Sequence, residues 1–149
     1  MKKLHFSIII DAPREKVWQT MLADETYRKW TEAFYPGSHF VGSWETGSEI
    51  RFLAPNSKGN MEGMVSRIEE NRPYEFMSIE HLGMIEDGKE DTTSEKVKDW
   101  AGAHENYTFK EMDGKTELLV DLDSAEEYAD MFKGMWPKAL GELKKLIEK

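Results

Sequence analysis

The sequence predicts an α+β fold in which a curved antiparallel sheet of about six to seven strands, with two short helices after the first strand, is crossed by one long C-terminal helix. Three observations carry this. Tyr128, Met131, Phe132, Met135, Trp136, Ala139, Leu140, Leu143, Leu146 and Ile147 recur at three and four residues, the spacing of a single helical face. Six short apolar runs lie between residues 38 and 123, and Gly, Pro, Asn and Asp punctuate them, as hairpins require. Ahead of both, a strand-like start ends in Asp11-Ala12-Pro13, which stops a strand and presets a helical turn.

Taken in order, residues 3–10 are rich in Phe and Ile and read as strand. Val17, Trp18, Met21 and Leu22 then share a helical face, and Asp24 is placed to cap a second short helix bearing Tyr27, Trp30 and Phe34, which Pro36-Gly37 closes. The strand runs are 38–44, 48–54, 60–70, 74–84, 103–112 and 115–123, separated by Gly47, Pro55-Asn56, Asn71-Arg72-Pro73, Asp87-Gly88 and Asp113-Gly114. The clearest hairpin is at Asp113-Gly114, because alternation is visible on both sides of it. Residues 86–98 are highly charged and read as a solvated loop interrupting the meander. The competing reading has Thr92 and Glu95 capping a short helix through Val97 and Trp100, a flap over the sheet. Ser124 with Glu127 matches a capping box and starts the long helix near Ala125. Pro137, with Gly134 nearby, predicts a bend or break in that helix. Its first half carries Met and aromatic groups, which fill irregular space, and its second half Leu and Ile, which specify a tight core.

At 149 residues the chain is expected to form one domain that buries roughly two-thirds of its unfolded surface, enough for a core and a cavity. The net charge of -9 and pI near 5.0 exclude a nucleic-acid binder, which needs a basic track to displace counterions, and disfavour anionic membrane surfaces. There is no cysteine, so disulfides, thiolate nucleophiles and cysteine metal sites are excluded, in keeping with a reducing cytoplasm. The apolar start is interrupted by His5 and ended by Asp11 before signal-peptide length, and no stretch approaches a membrane span.

Nucleophilic catalysis finds no support, since no glycine-flanked nucleophile elbow appears. His5, His39, His81 and His104 are scattered without paired metal-ligand spacing, and no glycine-rich loop precedes a helix. Neither a metal nor a cofactor is therefore expected, and no catalytic residue is assigned. Alternation marks the polar residues of interest. If Met77 and Ile79 face the core, so does His81; Tyr107 shares the parity of Phe109; and Ile50 and Phe52 pointing inward turn Arg51 outward. A helix across a concave sheet leaves voids between them. Trp30, Phe34, Trp44, Phe52, Met64, Met131, Met135 and Trp136 are the expected apolar walls, joined on the inward strand faces by Met77, Ile79 and Phe109, with His81 and Tyr107 as polar contacts.

The order of elements, together with Ile10-Asp11-Ala12-Pro13 followed by Val17-Trp18, Trp30, Gly42 and Gly47 around Trp44, Gly63 with Val65 and Ile68-Glu69, and Gly134-Met135-Trp136 ahead of Leu140 and Leu143, resembles the START-like superfamily (SRPBCC, the helix-grip fold of the birch-pollen allergen). Within it, the match is to the family named for the C-terminal domain of the Aha-type activator of a heat-shock chaperone's ATPase. The resemblance spans essentially the whole chain. It implies a hydrophobic cavity between the long helix and the sheet, used across the superfamily for lipids, polyketides, hormones and other apolar ligands, with no shared catalytic motif.

The expected function is a cytoplasmic carrier or sensor that encloses a small hydrophobic or amphipathic ligand (lipid, polyketide or aromatic compound). One alternative is a cyclase- or hydrolase-like enzyme using His81 as acid or base and Tyr107 as electrophilic donor. The other is a chaperone-modulating module, which ranks below because nothing in the chain corresponds to that activator's companion N-terminal domain. Strand pairing between two copies, giving a homodimer, is left open.

Overall fold

Alternating burial along the strands produces one sheet with a covered concave face. The computed structural model describes residues 1–149. In chain order it contains β1 (Lys2–Ile10), α1 (Arg14–Leu22), α2 (Asp24–Trp30), β2 (His39–Gly42), β3 (Glu49–Pro55), β4 (Met61–Arg72), β5 (Phe76–Glu86), β6 (Lys89–Asp91), α3 (Glu95–Lys98), β7 (His104–Met112), β8 (Lys115–Ser124) and α4 (Ala129–Glu148). The strands form one antiparallel sheet in the order β1-β8-β7-β5-β4-β3-β2, and β6 pairs with β5 beyond the end of β7. In β8 every second residue, from Thr116 to Ser124, is buried, the period-2 signature of a sheet packed on one face. Asp113 and Gly114 both adopt positive φ and join Met112 to Lys115 in a two-residue hairpin, the geometry Asp-Gly favours. Gly63 is required for another reason: a Cβ there would lie 1.7 Å from the Phe52 carbonyl oxygen, so only glycine lets β3 and β4 approach beside the cavity described below.

The two halves of α4 divide as their composition predicts. Ala139, Leu140, Leu143 and Ile147 are buried in the main core with residues of β1, α1, β7 and β8, whereas Tyr128 and Met131 are half exposed. The C-terminal end is also tied down electrostatically. Lys144 Nζ donates to the Ile9 carbonyl at 2.7 Å, and the Glu148 carboxylate accepts from Lys144 at 2.6 Å and from the Asp11 amide at 2.8 Å.

Four expectations are corrected. First, α4 starts at Ala129 and no capping box forms. Ser124 instead ends β8, paired with Lys2, and is buried with its hydroxyl donating to the Ala125 carbonyl; Ala125 is extended and a 3-10 turn at Glu126–Tyr128 follows. The sheet register claims the residue that the helix would have used. Second, Asp24 is not a cap but the first residue of α2. A single residue, Ala23, separates the two helices, donating its amide to Gln19 and accepting from Tyr27, and the Asp24 carboxylate pairs with Arg28 one turn on. Third, of the bend or break expected at Pro137, the break does not occur: one helix, α4, runs through it. Lys133, Gly134 and Pro137 are all exposed, so water can satisfy the carbonyl that proline leaves without a donor.

Fourth, residues 86–98 are not a solvated loop. Asp87 and Gly88, both at positive φ, turn β5 into β6, which accounts for the eighth strand. Asp91 Oδ1 then accepts from the Thr93 and Ser94 amides at 3.2 and 3.0 Å, so Ser94, not Thr92, holds the N-cap position of the one-turn α3. Val97 is fully buried, and with Val65 and Ile85 it lies outside the main core. Val65 and Ile85 alternate with Met64 and Met84, which face the concave side, so this small second cluster belongs to the sheet's outer face. Arg51, directed outward as expected, reaches Glu90 at 2.5 Å across the same face.

Candidate functional site: an apolar cavity with a buried polar chain

Bulky side chains on the first half of α4 hold it away from the sheet and leave a cavity of about 600 Å³ between them. Seventeen of its 26 lining residues are hydrophobic, which suits an apolar occupant. Trp136 stands at its inner end, with ring centroids 4.9 Å from Phe34, 6.1 Å from Phe6 and Trp30, and 6.2 Å from Tyr107. Phe6 stacks on the indole and the other three rings meet it edge-on or tilted, arrangements that stabilise aromatic pairs beyond their area. Two indole N–H groups are satisfied behind the walls. Trp30 donates to Met21 O and Trp44 to Leu22 O, both at 3.0 Å, capping carbonyls that the end of α1 leaves open. Tyr128, Met131 and Glu62 are the exposed residues of the cavity lining.

Four polar residues cross the sheet in one chain. Ser66 Oγ lies 2.7 Å from His81 Nδ1, His81 Nε2 lies 3.1 Å from Glu105 Oε1, and the Tyr107 hydroxyl donates to Glu105 Oε2. A bulge beyond His81 adds Met84 to the same face. Pairing passes from Val65↔Gly83 to Ser66↔His81, so Leu82 is an extra residue and both His81 and Met84 face the cavity. A carboxylate only accepts, so His81 donates from Nε2 to Glu105 and accepts at Nδ1 from the Ser66 hydroxyl, a tautomer assigned from the network. Burial pushes the Tyr107 hydroxyl pKa well above its usual value and the Glu105 carboxylate adds to it; Tyr27 is raised by the same two causes in the same order. Both phenols therefore stay protonated donors at neutral pH.

The structure brings Trp30, Phe34, Phe52, Met64, His81, Tyr107, Met131 and Trp136 onto the cavity wall. It does not bring Trp44, Met77, Ile79, Phe109 or Met135 there. Met77 and Ile79 face inward, as alternation requires, but are wholly buried in the solid part of the core. Phe109 packs edge-on against Trp18 at 5.2 Å. Trp44 stands one layer back, 5.1 Å from Phe40 and 5.8 Å from Phe52, and Met135 lies on the half-buried flank of α4. Sequence reasoning missed Glu105, although it shares the parity of Tyr107 and Phe109 that marked those two as inward. It also found no serine–histidine–acid arrangement, because Ser66, His81 and Glu105 sit on three different strands. Ser66 is wholly buried and off the cavity wall, and both His81 nitrogens are engaged. The chain thus orients a carboxylate toward the cavity and does not present a nucleophile.

Comparison with known proteins agrees with this architecture. A model of the activator of Hsp90 ATPase homolog 1-like proteins matches residues 11–148. The crystal structure of a protein from Mesorhizobium loti superposes with a TM-score of 0.74 at 12% identity, covering 99% of this chain and 97% of that one. The solution structure of an Aha1 dimer from Colwellia psychrerythraea gives 0.70 at 18% identity, covering 99% and 97%. A protein from the dynemicin biosynthetic locus gives 0.71 at 15% identity, covering all of this chain and 48% of that one. At such identities the likeness is one of fold. No curated protein matches the chain.

Proposed function

Since the chain belongs to the activator of Hsp90 ATPase homolog 1-like family, we propose that it is a cytoplasmic carrier or sensor that encloses a small hydrophobic or amphipathic molecule between α4 and the sheet. The observation that carries this reading is the 600 Å³ apolar space beneath the Met- and aromatic-rich half of α4, beside a half of the same helix that is solidly packed. Affinity would come mainly from apolar area removed from water, at roughly 25 cal/mol per Å², with Glu105, held by Tyr107 and His81, fixing orientation. A cyclase- or hydrolase-like use of the cavity is the weaker reading, because His81 has no free nitrogen to act as acid or base.

Native mass spectrometry of freshly purified protein should show a small-molecule adduct, and titration with the neutral apolar dye Nile red should saturate near one per chain. Absence of both would defeat the proposal. The family description, and the dimer reported for the Colwellia protein, support a second reading as a protein-binding module. Capture of a chaperone that survives moderate salt, by protein with its cavity filled, would favour that one.

A further inference from the structure

We propose that the cavity selects ligands whose polar end is a cationic amine, with Glu105 as the group that recognises it and the aromatic wall as its apolar bed. This rests on the ligand-binding reading above and specifies the ligand's chemistry. No lysine or arginine lines the cavity, and its three acidic residues are Glu62, Glu105 and Asp123. Two of these are already engaged. Asp123 pairs with Lys3 at 3.1 Å and accepts from the His104 amide at 3.0 Å, and Glu62, at an exposed position, accepts from Asn56 at 3.2 Å. Glu105 has no lysine or arginine partner. Its contacts are the Tyr107 hydroxyl and His81, which fix the carboxylate's direction.

An oriented carboxylate that a bound ligand would seal from water is expensive to leave unpaired. A neutral hydrocarbon therefore pays for Glu105 by desolvation, and an anionic ligand such as a fatty acid adds like-charge repulsion at short range. An ammonium or amidinium group removes the penalty through a charge-assisted hydrogen bond. The rings of Trp30, Phe34 and Trp136 line the same space and favour positive charge over their faces. The net charge of -9 would draw such ligands in at low salt.

The test is displacement of Nile red at neutral pH by octylamine, octanol and octanoate, which share one apolar tail. Octylamine should displace at about a tenfold lower concentration than octanoate, with octanol between them. Glu105→Gln, which keeps the shape and can still accept from Tyr107, should abolish the amine's advantage, and octanol should displace at an equal or lower concentration because the charge it had to desolvate is gone. Octanoate competing as well as octylamine, or an advantage that survives Glu105→Gln, would overturn the charge preference even though the cavity binds apolar tails. Failure of the dye to bind, or of all three tails to displace it, would instead bring down the ligand-binding reading and this inference with it.

Discussion

The Ser66 hydroxyl lies 2.7 Å from Nδ1 of His81, on neighbouring strands and beneath the cavity wall. Ser66 touches no cavity space, so its contribution is to satisfy and orient the imidazole that in turn holds Glu105. Ser66→Ala leaves a buried ring nitrogen without its donor and should lower stability by about 1–3 kcal/mol in urea unfolding, while one-to-one Nile red binding persists. Loss of dye binding in a variant that still folds would show that Ser66 acts at the cavity itself.

Met64 and Met77 separate wall from core. Met64 lines the cavity and Met77 is fully buried away from it. Met64→Trp should narrow the space and weaken dye binding, whereas Met77→Leu, a near volume-conserving change, should cost under about 1.5 kcal/mol and leave binding unchanged. Dye affinity that is unaltered in Met64→Trp would place the binding site elsewhere.

Val97 tests whether the charged segment is docked. It is fully buried on a one-turn helix between exposed neighbours, so Val97→Ala should destabilise by about 1–3 kcal/mol. Hydrogen exchange should accelerate across residues 89–103 and remain unchanged in β1 and β8. An unaltered exchange pattern would restore the loop reading.

Asp123 gives the fold an acid sensitivity of definite sign. Burial alone would raise its pKa, but the His104 amide and the Lys3 ammonium outweigh that and leave it below the usual value. A carboxyl with a lower pKa folded than unfolded stabilises the folded state above its unfolded value, near 3.9, and the gain disappears as pH falls through the lower folded value. The stability difference between wild type and Asp123→Asn should therefore be larger at neutral pH than at about pH 3. An equal difference at both would mean that the Lys3 and His104 contacts contribute nothing.

Apolar spacing and turn chemistry settle most of this protein without coordinates. The three-and-four pattern from Tyr128 to Ile147 requires a helix with one covered face, and Asp113-Gly114 between alternating runs requires a hairpin. The division of α4 into an adaptable and a solid half was also legible, because Met and aromatic side chains cannot close space as Leu and Ile do. Local signals failed where a residue had two suitors. Ser124 matched a cap yet was taken by pairing with Lys2, and the charges of residues 86–98 outweighed the short-helix reading through Val97 because a one-turn helix has no period to read. That Ser66, His81, Glu105 and Tyr107 meet in one polar chain was decided only by the tertiary structure: they come from three strands, and the register between those strands sets the contacts, while the extra residue Leu82 adds Met84 to the same face. Period-2 alternation can name the residues on one side of a strand, but which of them meet, and whether they border a void or solid core, depends on neighbouring register and on how far the helix above is held off.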